Sequence, residues 1–168
     1  MKQELFNGNW EEELELQFFS ENQFVKEAYI CSPLHSDSPS EYLYNLHAAR
    51  AYMYYANKRM GYQAKAPHAF LPLLLCDKKP EDRRLAIEFG LELLRRCSVV
   101  LVCGNRMSCG MKGEIIEAAE CRKKILVFDE KLFTEIKELL RESKKNSRIV
   151  SLDRDHSAMA LQAPQLLY

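Results

Sequence analysis

Apolar and polar positions along this chain follow two different periods. Tyr29-Ile30-Cys31, Val99-Val100-Leu101-Val102 and Ile125-Leu126-Val127-Phe128 are short, continuously apolar runs. Such runs predict strands covered on both faces of a parallel sheet. A weaker candidate covers 62–66 and ends at Pro67-His68, and Arg148-Ile149-Val150 is a fifth. Between these runs the apolar residues recur at helical spacing. Residues 40–60 set Leu43, Leu46, Ala49, Met53 and Ala56 near one face, and Gly61 stops that helix. Pro80 and Glu81 open a second helix, with Leu85, Ala86, Phe89, Leu93 and Leu94 on one side. A third starts after Ser108 and carries Glu114, Ile115, Ile116, Ala118 and Ala119. Leu132, Phe133, Ile136, Leu139 and Leu140 mark a fourth. The apolar stretch 70–76, broken by Pro72, predicts a turn or short helix forming a pocket wall. In the acidic lead, residues 1–25, Leu14, Leu16 and Phe18 alternate with polar residues, which fits a short strand or a helix.

Strands alternating with helices predict an α/β fold with right-handed crossovers. About five strands in this length suggest a flavodoxin- or Rossmann-like three-layer sandwich around a parallel sheet. The ligand crevice then lies between the first and third strands. It brings the loop 32–38 and the segment 104–114 together. No repeat or linker divides the 168 residues, so one domain is expected, with a core over 27–129 behind an N-terminal extension.

Composition narrows the function classes. The 24 basic and 24 acidic residues cancel, which gives no electrostatic case for a nucleic-acid polymer or a membrane surface as partner. No apolar run approaches the ~20 residues of a membrane span, and the acidic start lacks the order of an export signal. The six cysteines include no CxxC pair. Cys31, Cys97 and Cys103 fall in or beside strands and read as buried free thiols, which fits a reducing, cytoplasmic location. Cys109 stands near a helix N-terminus, which lowers a thiol pKa, and reads as a reactive thiol or a bystander. His35, His47 and His68 lack the spacing of a zinc site, so no metal is expected.

The chemistry concentrates in 98–114, SVVLVCGNRMSCGMKGE. Gly104 ends the strand, and Ser108 and Gly110 sit at the loop-to-helix transition, where free backbone N–H groups attract anions. Glu114 follows on an otherwise apolar stretch of helix. It is either a solvated surface group or a cleft carboxylate able to attack a sugar C1. Ser32, His35 and Ser36, in the loop 32–38, hold a phosphate or sugar hydroxyls, or else form a polar turn that caps the next helix through Ser38 or Ser40. His68 contacts a leaving base or phosphate, or is structural. Arg106 pairs with phosphate, or is solvated together with Lys112. Tyr44, Tyr52, Tyr54 and Tyr55 make a tyrosine-rich helix that reads as core and subunit packing. Neither GxGxxG nor GxxxxGK[ST] occurs, so ordinary dinucleotide and P-loop binding lose support.

With these residues in place, the chain resembles the nucleoside 2-deoxyribosyltransferase-like superfamily, closest to an uncharacterised bacterial and phage branch. The segments that carry the resemblance are YICSPL (29–34), NLHAAR (45–50), APHAFLP (66–72), LAIEFGLELLRRCSVVLVCGNR (85–106) and SCGMKGEIIEAAE (108–120). The Ser-x-Gly-x-x-x-Glu element is also similar to that of deoxynucleoside 5′-monophosphate N-glycosidases. The resemblance implies Glu114 as nucleophile, with Ser108 and Gly110 lining the pocket. The whole set expected around a nucleoside or nucleotide is Tyr29, Ser32, His35, Ser36, His68, Arg106, Ser108 and Gly110. It further implies a homodimer or larger homo-oligomer and no cofactor. The chain departs from the pattern in three places. Ser108 stands where the transferases carry an aspartate, Ser98 where an aspartate often precedes the third strand, and Pro33-Leu34-His35-Ser36 where the nucleotide glycosidases have a glycine- and arginine-rich loop. These departures keep a second expectation open, a non-catalytic nucleotide-binding protein on the same fold. A vestigial pocket in a structural or regulatory protein is the third.

Overall fold

A computed structural model describes residues 26–76, 78–143, 145, 148–151 and 159. The strand or helix expected around Leu14–Phe18 lies outside the described residues. Five parallel strands form one sheet: β1 (Glu27–Cys31), β2 (Gln63–Lys65), β3 (Val99–Val102), β4 (Lys124–Val127) and β5 (Arg148–Ser151), in the order β2-β1-β3-β4-β5. This is the flavodoxin-like order, and the side on which successive strands are added switches between β1 and β3 while every strand stays parallel. In register, Tyr29 lies beside Val100 and Cys31 beside Val102.

Among the described residues, four α-helices cover the sheet: α1 (Pro39–Arg59), α2 (Pro80–Arg96), α3 (Cys109–Glu120) and α4 (Glu130–Glu142). The helix α1 packs on one face through Ala48, Ala49, Tyr52 and Ala56 against Ala28, Ile30, Val99 and Leu101. Its small alanines let the helix axis lie close to the β-branched strand surface. The other face buries Tyr29, Cys31, Val100 and Val102 under Leu94 of α2, Met111 and Ile115 of α3, and Leu132, Ile136 and Leu140 of α4. Ile136 and Leu140 follow Leu132 at four-residue steps, so one stripe of α4 turns inward.

The helix ends follow local chemistry. Ser38 caps α1 by accepting the Glu41 N–H, and Gly61 continues past its C-terminus at φ +68°. Asp129 caps α4, its carboxylate accepting the Leu132 N–H at 2.9 Å. The 70–76 stretch forms a 3₁₀ turn at Leu71–Leu73, after another at Pro67–Ala69. The apolar side expected of α2 is only half realised. Gly90 and Leu94 are buried, but Leu85 and Phe89 remain 54% and 49% exposed. Among the described residues α2 packs on α3, β1 and the turn at Pro67–Ala69, and its inward stripe is narrower than the apolar stripe. Leu43 of α1 is likewise exposed. Cys31, Cys97 and Cys103 are buried free thiols, while Cys76 and Cys109 are exposed. Among the described residues, no helix is long and apolar enough to cross a membrane.

Candidate active site

Parallel strands point their carboxyl ends at one edge of the sheet, and there the β1 and β3 loops diverge. The loop after β3 turns at Gly104, whose φ of +87° favours glycine. A Cβ at Gly104 would lie 3.3 Å from Cδ of Pro33, so the two loops touch at this glycine. The Gly104 N–H donates to the Met159 carbonyl at 2.9 Å, and Met159 is fully buried against the α1 side of the core. A residue far along the chain therefore braces the end of β3.

Ser108 starts α3. Its hydroxyl accepts the Met111 N–H at 3.3 Å, and its own N–H donates to the Met111 sulfur at 3.5 Å. The cap fixes the first turn, and the next turn carries Glu114 back toward β1. Tyr29 donates its hydroxyl proton to Oε1 of Glu114 at 2.7 Å, and the Cys31 thiol also donates to this carboxylate. Tyr29 and Cys31 are two residues apart on β1 and so share one face of the sheet. Glu114 is half-buried, in a setting made mainly of apolar side chains.

Burial pushes the Glu114 carboxyl up to about 7, and the hydrogen bonds from Tyr29 and Cys31 partly offset that rise. Burial and the adjacent Glu114 hold the Tyr29 hydroxyl well above its ordinary range, and they do the same to the Cys31 thiol. Both groups therefore remain proton donors to Glu114 at neutral pH. Tyr29→Phe should remove one bond to the charged form and raise the Glu114 pKa by about one pH unit or more. Carbon-13 NMR titration of the labelled carboxyl checks this, and an unchanged midpoint would show that the hydroxyl does not hold the carboxylate.

Space for the Tyr29 hydroxyl comes from α2. A Cβ at Gly90 would lie 3.2 Å from the Tyr29 Oη, closer than packing ordinarily permits. A glycine inside a helix costs about 1 kcal/mol relative to alanine, and here it leaves room for the group that orients Glu114. That glycine was the sequence signal for α2's part in the site.

Ser32 and His68 meet past the carboxyl ends of β1 and β2. The Ser32 hydroxyl and His68 Nε2 are hydrogen-bonded at 2.8 Å. Ser32 directly follows β1, and His68 sits in the turn after β2, so adjacent strands bring them to one edge. Burial lowers the His68 pKa to about 4, so the ring is neutral at pH 7. Arg50 holds the same turn from α1, donating its Nε–H to the Ala69 carbonyl at 3.1 Å and lying over the Phe70 ring.

The remaining predicted residues lie toward the rim. Arg106 pairs with Oε1 of Glu41 at 2.7 Å, and Ser36 donates to Oε2 of the same carboxylate. Two residues read as phosphate ligands thus converge on the first turn of α1 and latch the 32–38 loop to the loop after β3. His35 is exposed, with Nε2 3.9 Å from Asp37. Gly110 is exposed in the first turn of α3. Lys112 faces away from Glu114, into a groove of about 310 Å³ shared with Glu135, Glu138 and Glu142 of α4. The structure thus joins Tyr29 to Glu114 and Ser32 to His68, two hydrogen-bonded pairs that both include a residue of β1 or its following loop. Cys31, which reads in sequence as a buried free thiol, joins Tyr29 at Glu114.

Residues 26–128 match the family described as Domain of unknown function (DUF7768). No curated protein matches the chain.

Proposed function

Because the chain belongs to the DUF7768 family, a domain of unknown function, its activity is read from the site, and we propose that it cleaves or transfers an N-glycosidic bond. The substrate is a 2′-deoxynucleoside or its 5′-monophosphate, and Glu114 is the nucleophile. The observation that carries this reading is a half-buried carboxylate at the β1–β3 edge, gripped by the Tyr29 hydroxyl at 2.7 Å. The resemblance of 108–120 to the glycosidase element points the same way.

In the reaction, an oxygen of the Glu114 carboxylate forms a bond to C1′. The bond from C1′ to the base nitrogen breaks, and its electron pair leaves with the base, which takes a proton from solvent. Water, or a second base, then attacks C1′ and releases the carboxylate. Tyr29 and Cys31 keep their protons throughout and position the attacking oxygen. A fixed negative charge beside C1′ favours the oxocarbenium-like transition state. His68, neutral and held by Ser32, presents hydrogen-bonding nitrogens to sugar or base. The Ser108 hydroxyl and the first turn of α3 line the same side. The chemistry calls for no cofactor or metal. Exposed free thiols at Cys76 and Cys109 support a cytoplasmic, reducing setting.

A second reading is a nucleotide-binding protein without turnover. A carboxyl that titrates near 7 is substantially protonated at neutral pH and then acts as a hydrogen-bond donor. Incubation with each deoxynucleoside and each 5′-monophosphate, followed by chromatography for free base, separates the two. Base release is expected, rising with pH through about 7 as Glu114 ionises. Stabilisation by a nucleotide without release from any of them would favour the binder.

A further inference from the structure

We propose that the outer flank of α2 is a docking face for a second copy of this chain, packed antiparallel about a twofold axis at Phe89. This holds whether or not Glu114 is catalytic. At 100° per residue, Asp82, Leu85, Phe89, Leu93 and Arg96 fall in one stripe along α2. The stripe flanks the inward face formed by Gly90 and Leu94, and Leu93, at the border of the two, is partly buried against this chain's own core. On the opposite flank, Arg95 reaches α3 and pairs with Glu117 at 2.7 Å. The stripe therefore points away from α3, toward the β2 edge of the sheet.

Leu85 and Phe89 are 54% and 49% exposed in this stripe. Leu73 and Leu74, 69% and 81% exposed, lie in the turn that leads to it. That turn is fixed to the stripe, because the Cys76 N–H donates to Oδ2 of Asp82 at 2.9 Å. Several large apolar side chains in one place exceed the scattered exposure normal for a surface and mark an interaction site.

The stripe matches its own reverse, which identifies the occupant. Set antiparallel with Phe89 on the axis, Leu85 meets Leu93 of the second copy, and Asp82 meets Arg96 of the second copy. Each contact occurs twice. A twofold interface requires such self-complementarity, whereas a face evolved for an unrelated partner does not. The charges sit at the two ends and the apolar residues between them, the arrangement of an apolar core inside a polar rim. Arg96 pairs with Glu92 at 3.2 Å, an exposed contact of small worth that it exchanges for the one across the axis.

Sedimentation of the 168-residue chain over a concentration series should give twice the 19.6 kDa chain mass. Phe89→Glu should reduce it to the chain mass with an unchanged circular dichroism spectrum. Asp82→Arg and Arg96→Asp should each weaken self-association by about ten-fold or more. An equimolar mixture of those two variants should regain it, because the mixed pair restores both charge contacts. A photo-crosslinking residue at position 89 should join two chains through residues 85–96. Three results would overturn the proposal: a monomer at every concentration, a dimer indifferent to all these changes, or a crosslink from position 89 to residues 1–25 of the same chain.

Discussion

Glu114→Gln is expected to abolish base release while making the protein more stable at neutral pH. Loss of the proposed nucleophile should cost about 10⁴-fold or more in rate. The gain in stability follows from proton linkage. The folded-state pKa of Glu114 is about 7 against an ordinary 4.5, so the folded chain favours the protonated form. That contribution is fully present below about pH 4.5 and is lost as pH rises through about 7. Above this window the buried charge destabilises the fold by about 3 kcal/mol. Glutamine has the same shape and can accept the Tyr29 and Cys31 hydrogen bonds without bearing the charge. At about pH 8 the variant should melt higher by roughly 5–10 °C, and the difference should vanish below about pH 4.5. Thermal unfolding of both proteins across pH measures this. Equal melting temperatures at high pH would show that the carboxylate is well solvated and not held in a cleft.

Gly104→Ala should be the most disruptive glycine change, and Gly61→Ala is its control. Both glycines have positive φ, +87° and +68°. A Cβ in that conformation costs about 1–2 kcal/mol. At Gly61 nothing lies within 4 Å of the added carbon, so the cost ends there. At Gly104 the Cβ meets Cδ of Pro33 at 3.3 Å and the Tyr52 hydroxyl at 3.8 Å. Overpacking there adds about 1–3 kcal/mol. Pro33 directly follows Ser32, so its displacement also disturbs the Ser32–His68 bond. Chemical denaturation should therefore rank Gly104→Ala well below Gly61→Ala. Base release should fall for the first and hold for the second. Equal stability losses would mean that the loop after β3 moves aside freely.

The frame of the site was legible because burial writes itself into short apolar runs. Val99–Val102 contains no polar residue, since both faces of β3 are covered. The switch between β1 and β3 followed from the alternation of strands and helices, and it placed the Glu114 helix at the correct edge. Ser38 was legible as a cap because its partner, Glu41, is three residues away. What stayed hidden were interactions between distant residues. Tyr29 and Glu114 are 85 residues apart, and Arg106 and Glu41 are 65 apart. No local pattern announces that Arg106 is held by a carboxylate on α1 instead of waiting for phosphate. The outer flank of α2 was misread for a related reason. Periodicity shows that Leu85 and Phe89 lie on the apolar side, but not whether this chain supplies anything to cover them. Cys31 was taken only as a thiol in a strand, because its role depends on the carboxylate that α3 brings to it.

The most direct test of Glu114 as nucleophile is to trap the sugar on the protein. A 2′-fluorine slows both the formation and the hydrolysis of the glycosyl ester, and an analogue with a good leaving base keeps formation the faster of the two, so the ester accumulates. Intact-mass spectrometry followed by peptide mapping should find one added sugar on the peptide carrying Glu114. The adduct should be absent from Glu114→Gln and from the denatured protein. Free base released without any adduct, or an adduct on another residue, would contradict the assignment of Glu114 as the attacking group.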